Sequence, residues 1–387
     1  MSGLRRMLWL IMVVVAPVMA ADDLAERTVV LANSADPDSL RIAQHYVDVR
    51  GVPAGNVIAL AMPQSETISW AEFVQSVWNP LRAQLVAEQW IDGTPMDLTD
   101  EAGRKKYAIS GHRMAYLVVC RGVPLRIRHD PARYKPAPPM TNNVIFRTNS
   151  AAVDGELSLL AQSNHGINAY LANPLFNNDR PSRPELANVI KVSRLDGPTF
   201  EDALGLPDRA VAAETVGLRG RAYVDIGGNH PDGDRWLESV AQQLDQLGIE
   251  TDVDRAPSTI GAGARFDEPV LYFGWYEGTV NGPFTTPGFR FPPGAIAVHI
   301  HSYSATTLRN SESGWCGPFV ARGVTATVGN VFEPYLQLTH RPDLLFRALA
   351  RGQNWGDAVY YSHPALSWHV VAIGDPLYRP FVKPLGE

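Results

Sequence analysis

Two short apolar runs, Val270–Phe273 and Ala295–Ile300, constrain this chain more than any other feature. The first stops abruptly at Gly274-Trp275-Tyr276-Glu277 and the second at His301-Ser302-Tyr303-Ser304. A brief run that is apolar throughout, without alternation, marks a strand covered on both faces, and strands of that kind belong to parallel sheets flanked by helices. In open sheets of this type ligands sit outside the carboxyl ends of the strands. The sequence therefore places a candidate cleft where these two runs end.

The rest of the chain repeats the theme. Thr28–Ala32 reads as a strand. Asp36 and Pro37 start a helix whose apolar face carries Leu40, Ala43 and Val47, Gly51 ends it, and Val57–Ala61 is the next strand. This is a βαβ unit, parallel and right-handed by default. A helical stretch over 70–90, a polar insertion and a third buried strand, Met114–Val119, complete a first α/β subdomain over 27–128. Prolines and Asn/Asp clusters break the pattern over 129–188, which reads as a connecting and covering segment. Within it Asp154 and Glu156 are expected at a solvated helix start, with an acid/base pair of carboxylates as the alternative. From 189 to 384 strands and helices alternate again: Val189–Val192, a helix after Thr199, Ala222–Ile226, a helix over 235–247 capped by Asp234, the two opening runs, Val324–Val328, two further helices and Val370–Ile373. The fold class expected is α/β, two tandem Rossmann-like subdomains with mainly parallel sheets between helices.

The first 20 residues, with Arg5 and Arg6 before the apolar run Met7–Val15 and Val18-Met19-Ala20 after it, have the form of a signal peptide cut after Ala20. The apolar run falls short of the roughly 20 residues a membrane span requires. An exported chain, periplasmic or extracellular and without a stable span, is the expectation. The formal net charge of −6 leaves no basic face for nucleic acid. Only Cys120 and Cys316 occur, which excludes a disulfide-dense scaffold and leaves either one bridge or two buried thiols. No CxxC or HExxH array is present, and no cofactor is expected.

At this point the chain resembles known proteins. SRLDGPT, GAIAVHIHSYSATTLR, WCGPFVARG, GNVFEPYL and GDPLYRPF resemble an uncharacterised family of exported bacterial proteins from species with exosortase-type sorting systems. More distantly, the element order, Ser193-Arg194-Leu195 and Gly374-Asp375-Pro376 resemble the gingipain-type (C25) peptidases. That resemblance implies two caspase-like subdomains, with a histidine after Gly at one strand end and a cysteine at the end of the next. Here those positions read Gly274-Trp275 and His301-Ser302-Tyr303-Ser304. An indole nitrogen only donates, so Trp275 cannot take a proton from a nucleophile.

The candidates at the strand ends divide by chemistry. Ser302 and Ser304 stand where a nucleophile would, with His301 as their base, or else they line a polar pocket. Cys316, before a helix start, is a displaced nucleophile or a packed thiol. His299 and His301 have the spacing of two metal ligands on one strand face, with His369 or Asp375 as a third, or are buried and hydrogen-bonded. Asp225, Asp232 and Asp234, among glycines, can hold calcium or serve as caps. Trp275, Tyr276 and Glu277, with Asn330 and Glu333, suit a peptide or surface-polymer ligand. The expectation is a pseudopeptidase-like binding or accessory protein; the alternative is a hydrolase using Cys316, Ser302 or Ser304 with His301.

Overall fold

The computed structural model describes residues 21–135, 147–228 and 230–386. The leader expected over 1–20 lies outside them. Among the described residues no helix is long and apolar enough to cross a membrane.

In chain order the main elements are β1 (Thr28–Asn33), α1 (Pro37–Arg50), β2 (Val57–Leu60), β3 (Ile91–Thr99), β4 (Lys105–His112), β5 (Tyr116–Cys120), β6 (Val192–Leu195), α2 (Phe200–Val216), β7 (Arg221–Asp225), α3 (Pro231–Gln246), β8 (Thr251–Asp254), β9 (Pro269–Gly274), β10 (Ile296–His299), α4 (Cys316–Ala321), β11 (Thr327–Asn330), α5 (Pro342–Ala350), α6 (Trp355–Ser362) and β12 (Val370–Ile373). Every residue of β1, β5, β9 and β12 is buried, as runs without alternation require. The start of α1 is as its sequence demands: Asp36 accepts from the Asp38 amide, Pro37 opens the helix, and Gly51 closes it at φ 66°.

Six strands form one sheet in the order β11-β12-β6-β5-β1-β2, and four form another in the order β8-β7-β9-β10. All the pairings are parallel except β11 with β12. A single parallel bridge, Ile296 with Ala326, joins β10 to the run entering β11. The larger sheet thus takes strands from both halves of the chain. Because β11 runs with β10 and against β12, the carboxyl tips of β7, β9, β10 and β11 open on one edge and those of β1, β2, β5, β6 and β12 on the other. The architecture is mixed α/β with mainly parallel sheets flanked by helices, the expected class and consistent with a caspase-like fold.

Three local readings are corrected. The polar insertion is an antiparallel ribbon of β3 and β4, whose mostly exposed residues lack the alternation that announces a half-buried strand. The strand expected at Val189–Val192 lies three residues later, in β6, because Ser193 and Arg194 are polar yet fully buried. Asp154 and Glu156 are buried, not solvated. Asp154 pairs with Arg194 across 2.5 Å, and Glu156 lies between Arg104 and His165. Arg194 also donates to Asp196 and to the carbonyls of Val123 and Pro124.

Removing one partner of a buried ion pair costs about 3–5 kcal/mol. Arg194→Met is therefore expected to lower unfolding stability by about that much in urea titration. Arg41→Ala, which removes an exposed pair, should change it by less than about 1 kcal/mol.

Candidate functional site

Gly274 of β9 lies beside His299 of β10, so Trp275 and His301-Ser302 stand at adjoining strand tips. Beyond them, and beyond the tip of β11, lies a cleft of about 680 Å³. Its wall is made by Trp275 and Tyr276 after β9, Ile300 to Ser302 after β10, Asn330 and residues 333–337 and 339 after β11, and His230, Pro231, Asp232 and Arg235 at the start of α3. This is the size of a small-ligand pocket.

Trp275 is the floor. It is only 1% exposed, and its indole lies flat against Gly228 and Gly233, where a Cβ would come within 2.2 and 2.1 Å of the ring. Any side chain there would displace the tryptophan. Its Nε1 donates to Asp234 Oδ1 at 2.8 Å, and the same oxygen accepts the amides of Gly227 and Gly228. Asp234 is thus a brace inside the first turn of α3, whose N-cap is His230, and not the cap expected of it. Tyr276 is half-buried between His230 and His301, at ring distances of 5.9 and 4.5 Å.

The nucleophile candidates separate. Ser302 and His301 both line the cleft. His301 Nδ1 donates to the carbonyl of Ser302 at 2.6 Å, which leaves Nε2 as the basic atom. Ser304 is buried behind the rim, and its hydroxyl accepts the Asn330 amide at 3.0 Å. Cys316 starts α4, where the helix end alone would favour the thiolate. Burial outweighs it: the thiol is pushed up to about 12, lies in an apolar cluster and donates to the Val328 carbonyl at 3.5 Å. Cys120 is likewise buried, and both cysteines are free.

His299 and His301 do not form a ligand pair, because both ring nitrogens of His299 are engaged. Nε2 accepts the Glu277 amide at 3.1 Å, Nδ1 lies 3.0 Å from the Tyr272 hydroxyl, and the ring stacks on Trp315 at 3.5 Å. Burial holds this imidazole well below its usual pKa, so it is neutral. His369 is held by the carbonyls of Glu333 and Ser150, and Asp375 by Arg50 and Tyr46. Asp232 pairs with Arg235, and Asp225 is buried against Tyr272 and the Ile260 amide. Among the described residues no three His, Cys, Asp or Glu gather as a metal site.

Asn330 is buried, donating to the His301 carbonyl and accepting from Thr339. Glu333 accepts the Tyr335 amide and forms no ion pair among the described residues. Glu277 is exposed, its carboxylate turned back to the Gly278 amide and away from the cleft lining. Residues not foreseen are His230, Tyr335 and Thr339. His230 sits in the loop read only for its glycines and acids, and Tyr335 follows the tip of β11.

Two measurements follow from the burial. Iodoacetamide at pH 8 should leave both thiols of the folded protein unmodified, and label both after unfolding. Asp225, only 1% exposed, is raised by burial to about 7, above its unfolded value. A carboxyl with a raised folded pKa contributes stability that is complete below the unfolded pKa and is lost as pH rises from about 4 to 7. Asp225→Asn should therefore gain on the wild type across that interval by up to about 4 kcal/mol, read from denaturant midpoints at each pH.

No protein-family profile matches the chain, and no curated protein matches it. Among solved structures, one described as that of a protease aligns over 93% of this chain and 79% of its own, with 11% identity and a TM-score of 0.45.

Proposed function

We propose that this is an exported binding or accessory protein with a caspase-like cleft that grips a peptide or surface polymer without cutting it. The observation that carries the reading is the arrangement at the tip of β10. His301 directs Nδ1 to the backbone of Ser302, and the Ser302 hydroxyl makes no hydrogen bond to a base among the described residues. A serine without a base is a weak nucleophile. Cys316 cannot replace it from the interior, since a thiol at about 12 is protonated at neutral pH. What remains at the rim is suited to holding: an aromatic floor and wall in Trp275 and Tyr276, the Glu333 carboxylate and the Ser302 hydroxyl. The signal-peptide form of residues 1–20 supports work outside the cytoplasm, at the cell surface or in its matrix.

A second reading, a hydrolase using Ser302 with His301, is favoured by one fact: both line the same cleft, and Nε2 of His301 has no partner among the described residues.

The mature protein would be treated with fluorophosphonate and iodoacetamide probes beside Ser302→Ala, His301→Ala and Cys316→Ala. It would also be titrated with arrays of heptapeptides and oligosaccharides, following tryptophan fluorescence. No covalent labelling, with binding weakened about tenfold or more by Tyr276→Ala, is the expected result. Stoichiometric labelling abolished by Ser302→Ala or His301→Ala would replace this reading with the hydrolase.

A further inference from the structure

Behind the cleft, one line of hydrogen bonds crosses three neighbouring strands. It begins at Asp225 at the tip of β7, whose Oδ2 takes the Ile260 amide at 3.1 Å and the Tyr272 hydroxyl at 3.3 Å. It continues from Tyr272 on β9 to His299 Nδ1 on β10, and from His299 Nε2 to the Glu277 amide. Glu277 directly follows the cleft residues Trp275 and Tyr276. Its carbonyl accepts from Trp315 Nε1 at 2.6 Å, and Trp315 in turn lies flat on His299.

The direction of every bond in this line is determined by its last member. A backbone amide only donates, so His299 Nε2 must accept. The neutral ring therefore carries its proton on Nδ1 and donates to the Tyr272 oxygen. The Tyr272 proton then points at Asp225 Oδ2, which accepts it as a carboxylate. Asp225 Oδ1 is buried without any partner.

We propose that protonation of Asp225 reverses this line and releases the Glu277 amide, so that the wall of the cleft formed by Trp275 and Tyr276, which Glu277 directly follows, responds to pH. A proton on Oδ1 meets no acceptor, whereas a proton on Oδ2 can be donated to the Tyr272 oxygen. Tyr272 then donates to His299 Nδ1, and the ring proton leaves Nδ1 and returns at Nε2 by exchange with water. The imidazole stays neutral, and the one proton gained is on Asp225. Nε2–H now faces the Glu277 N–H, two donors head to head, and that contact is lost. Glu277 is exposed, so its amide can turn to water, while the Asp225 proton has no other acceptor.

The charged groups around the line fit this behaviour. Asp254 at the tip of β8 adds to the burial that raises Asp225 to about 7. His301 adds to the burial that keeps His299 uncharged. Asp234 on α3 is occupied by Gly227, Gly228 and Trp275. The carboxylate of Glu277 itself faces the Gly278 amide.

The test needs no ligand at first. Nitrogen chemical shifts of ¹⁵N-histidine-labelled protein report the tautomer of His299, and hydrogen exchange reports the Glu277 amide, both between about pH 5 and 9, a range centred on the Asp225 carboxyl. The expected result is Nδ1–H above neutrality and Nε2–H below it. Protection of Glu277, corrected for intrinsic exchange, should fall several-fold to about tenfold on the acid side, the worth of one hydrogen bond. Asp225→Asn and Tyr272→Phe should each abolish the transition, the second while leaving Asp225 able to titrate. A single His299 tautomer across the wild-type range overturns the proposal, whatever the variants do. So does a transition that persists in Asp225→Asn.

The effect on binding rests on the reading of the cleft given above, and is measured separately with the best-bound member of the peptide and oligosaccharide arrays. Affinity that falls below neutrality in the wild type and is constant in Tyr272→Phe supports the coupling. A tautomer switch in a protein that binds nothing at either pH upholds the relay and overturns the cleft as a binding site. Binding that ignores pH while His299 switches overturns the coupling.

Discussion

Arg194 has five N–H donors, and all five are used inside the protein: two on Asp154, one on Asp196, and one each on the carbonyls of Val123 and Pro124. It stands fully buried in β6, between β5 and β12. A guanidinium in that position is tolerable only when each donor is met and the charge is balanced. The partners come from separate parts of the chain. Asp154 belongs to a short helix between β5 and β6, Val123 and Pro124 follow β5, and Asp196 also takes Arg309 from the long loop beyond β10. One side chain thereby ties the central sheet to the stretch between β5 and β6 and, through Asp196, to the loop that carries Ser302.

The chemistry of the cleft is governed by the same balance between burial and partners. A helix start at Cys316 would lower a thiol's pKa, but complete burial raises it further than the helix end lowers it, and the sulfur is inert. His299 sits close in sequence to His301, yet one is an uncharged interior ring with both nitrogens engaged and the other lines an open cleft. At the tip of β9, Trp275 is wedged against two glycines and donates to Asp234, so it offers no proton acceptor.

Much of this was readable from the letters. The apolar runs at β1, β5, β9, β10 and β12 announced parallel strands, and the tips at Trp275 and His301-Ser302 announced a cleft. Readings went astray where a polar residue had a distant partner. Arg194 displaced the apparent strand at 189–192, and Asp154 looked solvated, because the charge that makes each tolerable lies 40 residues away in sequence. The ribbon of β3 and β4 was missed for a different reason: β3 is mostly exposed and β4 only partly buried, so no regular alternation marked them.

The sequence by itself determined the fold class, the alternation of the buried strands with helices, and which strand tips carry Trp275, His301 and Ser302, since these depend on local periodicity, capping and the need to cover apolar runs. Only the tertiary structure decided that β11 runs against β12, which sends the two sets of strand tips to opposite edges. It alone decided that Cys316 and Ser304 lie behind the cleft rim, and that Asp225, Tyr272 and His299 join in one line. Those outcomes depend on distances between residues far apart in the chain, and on how much water each group loses when the sheets and helices close around it.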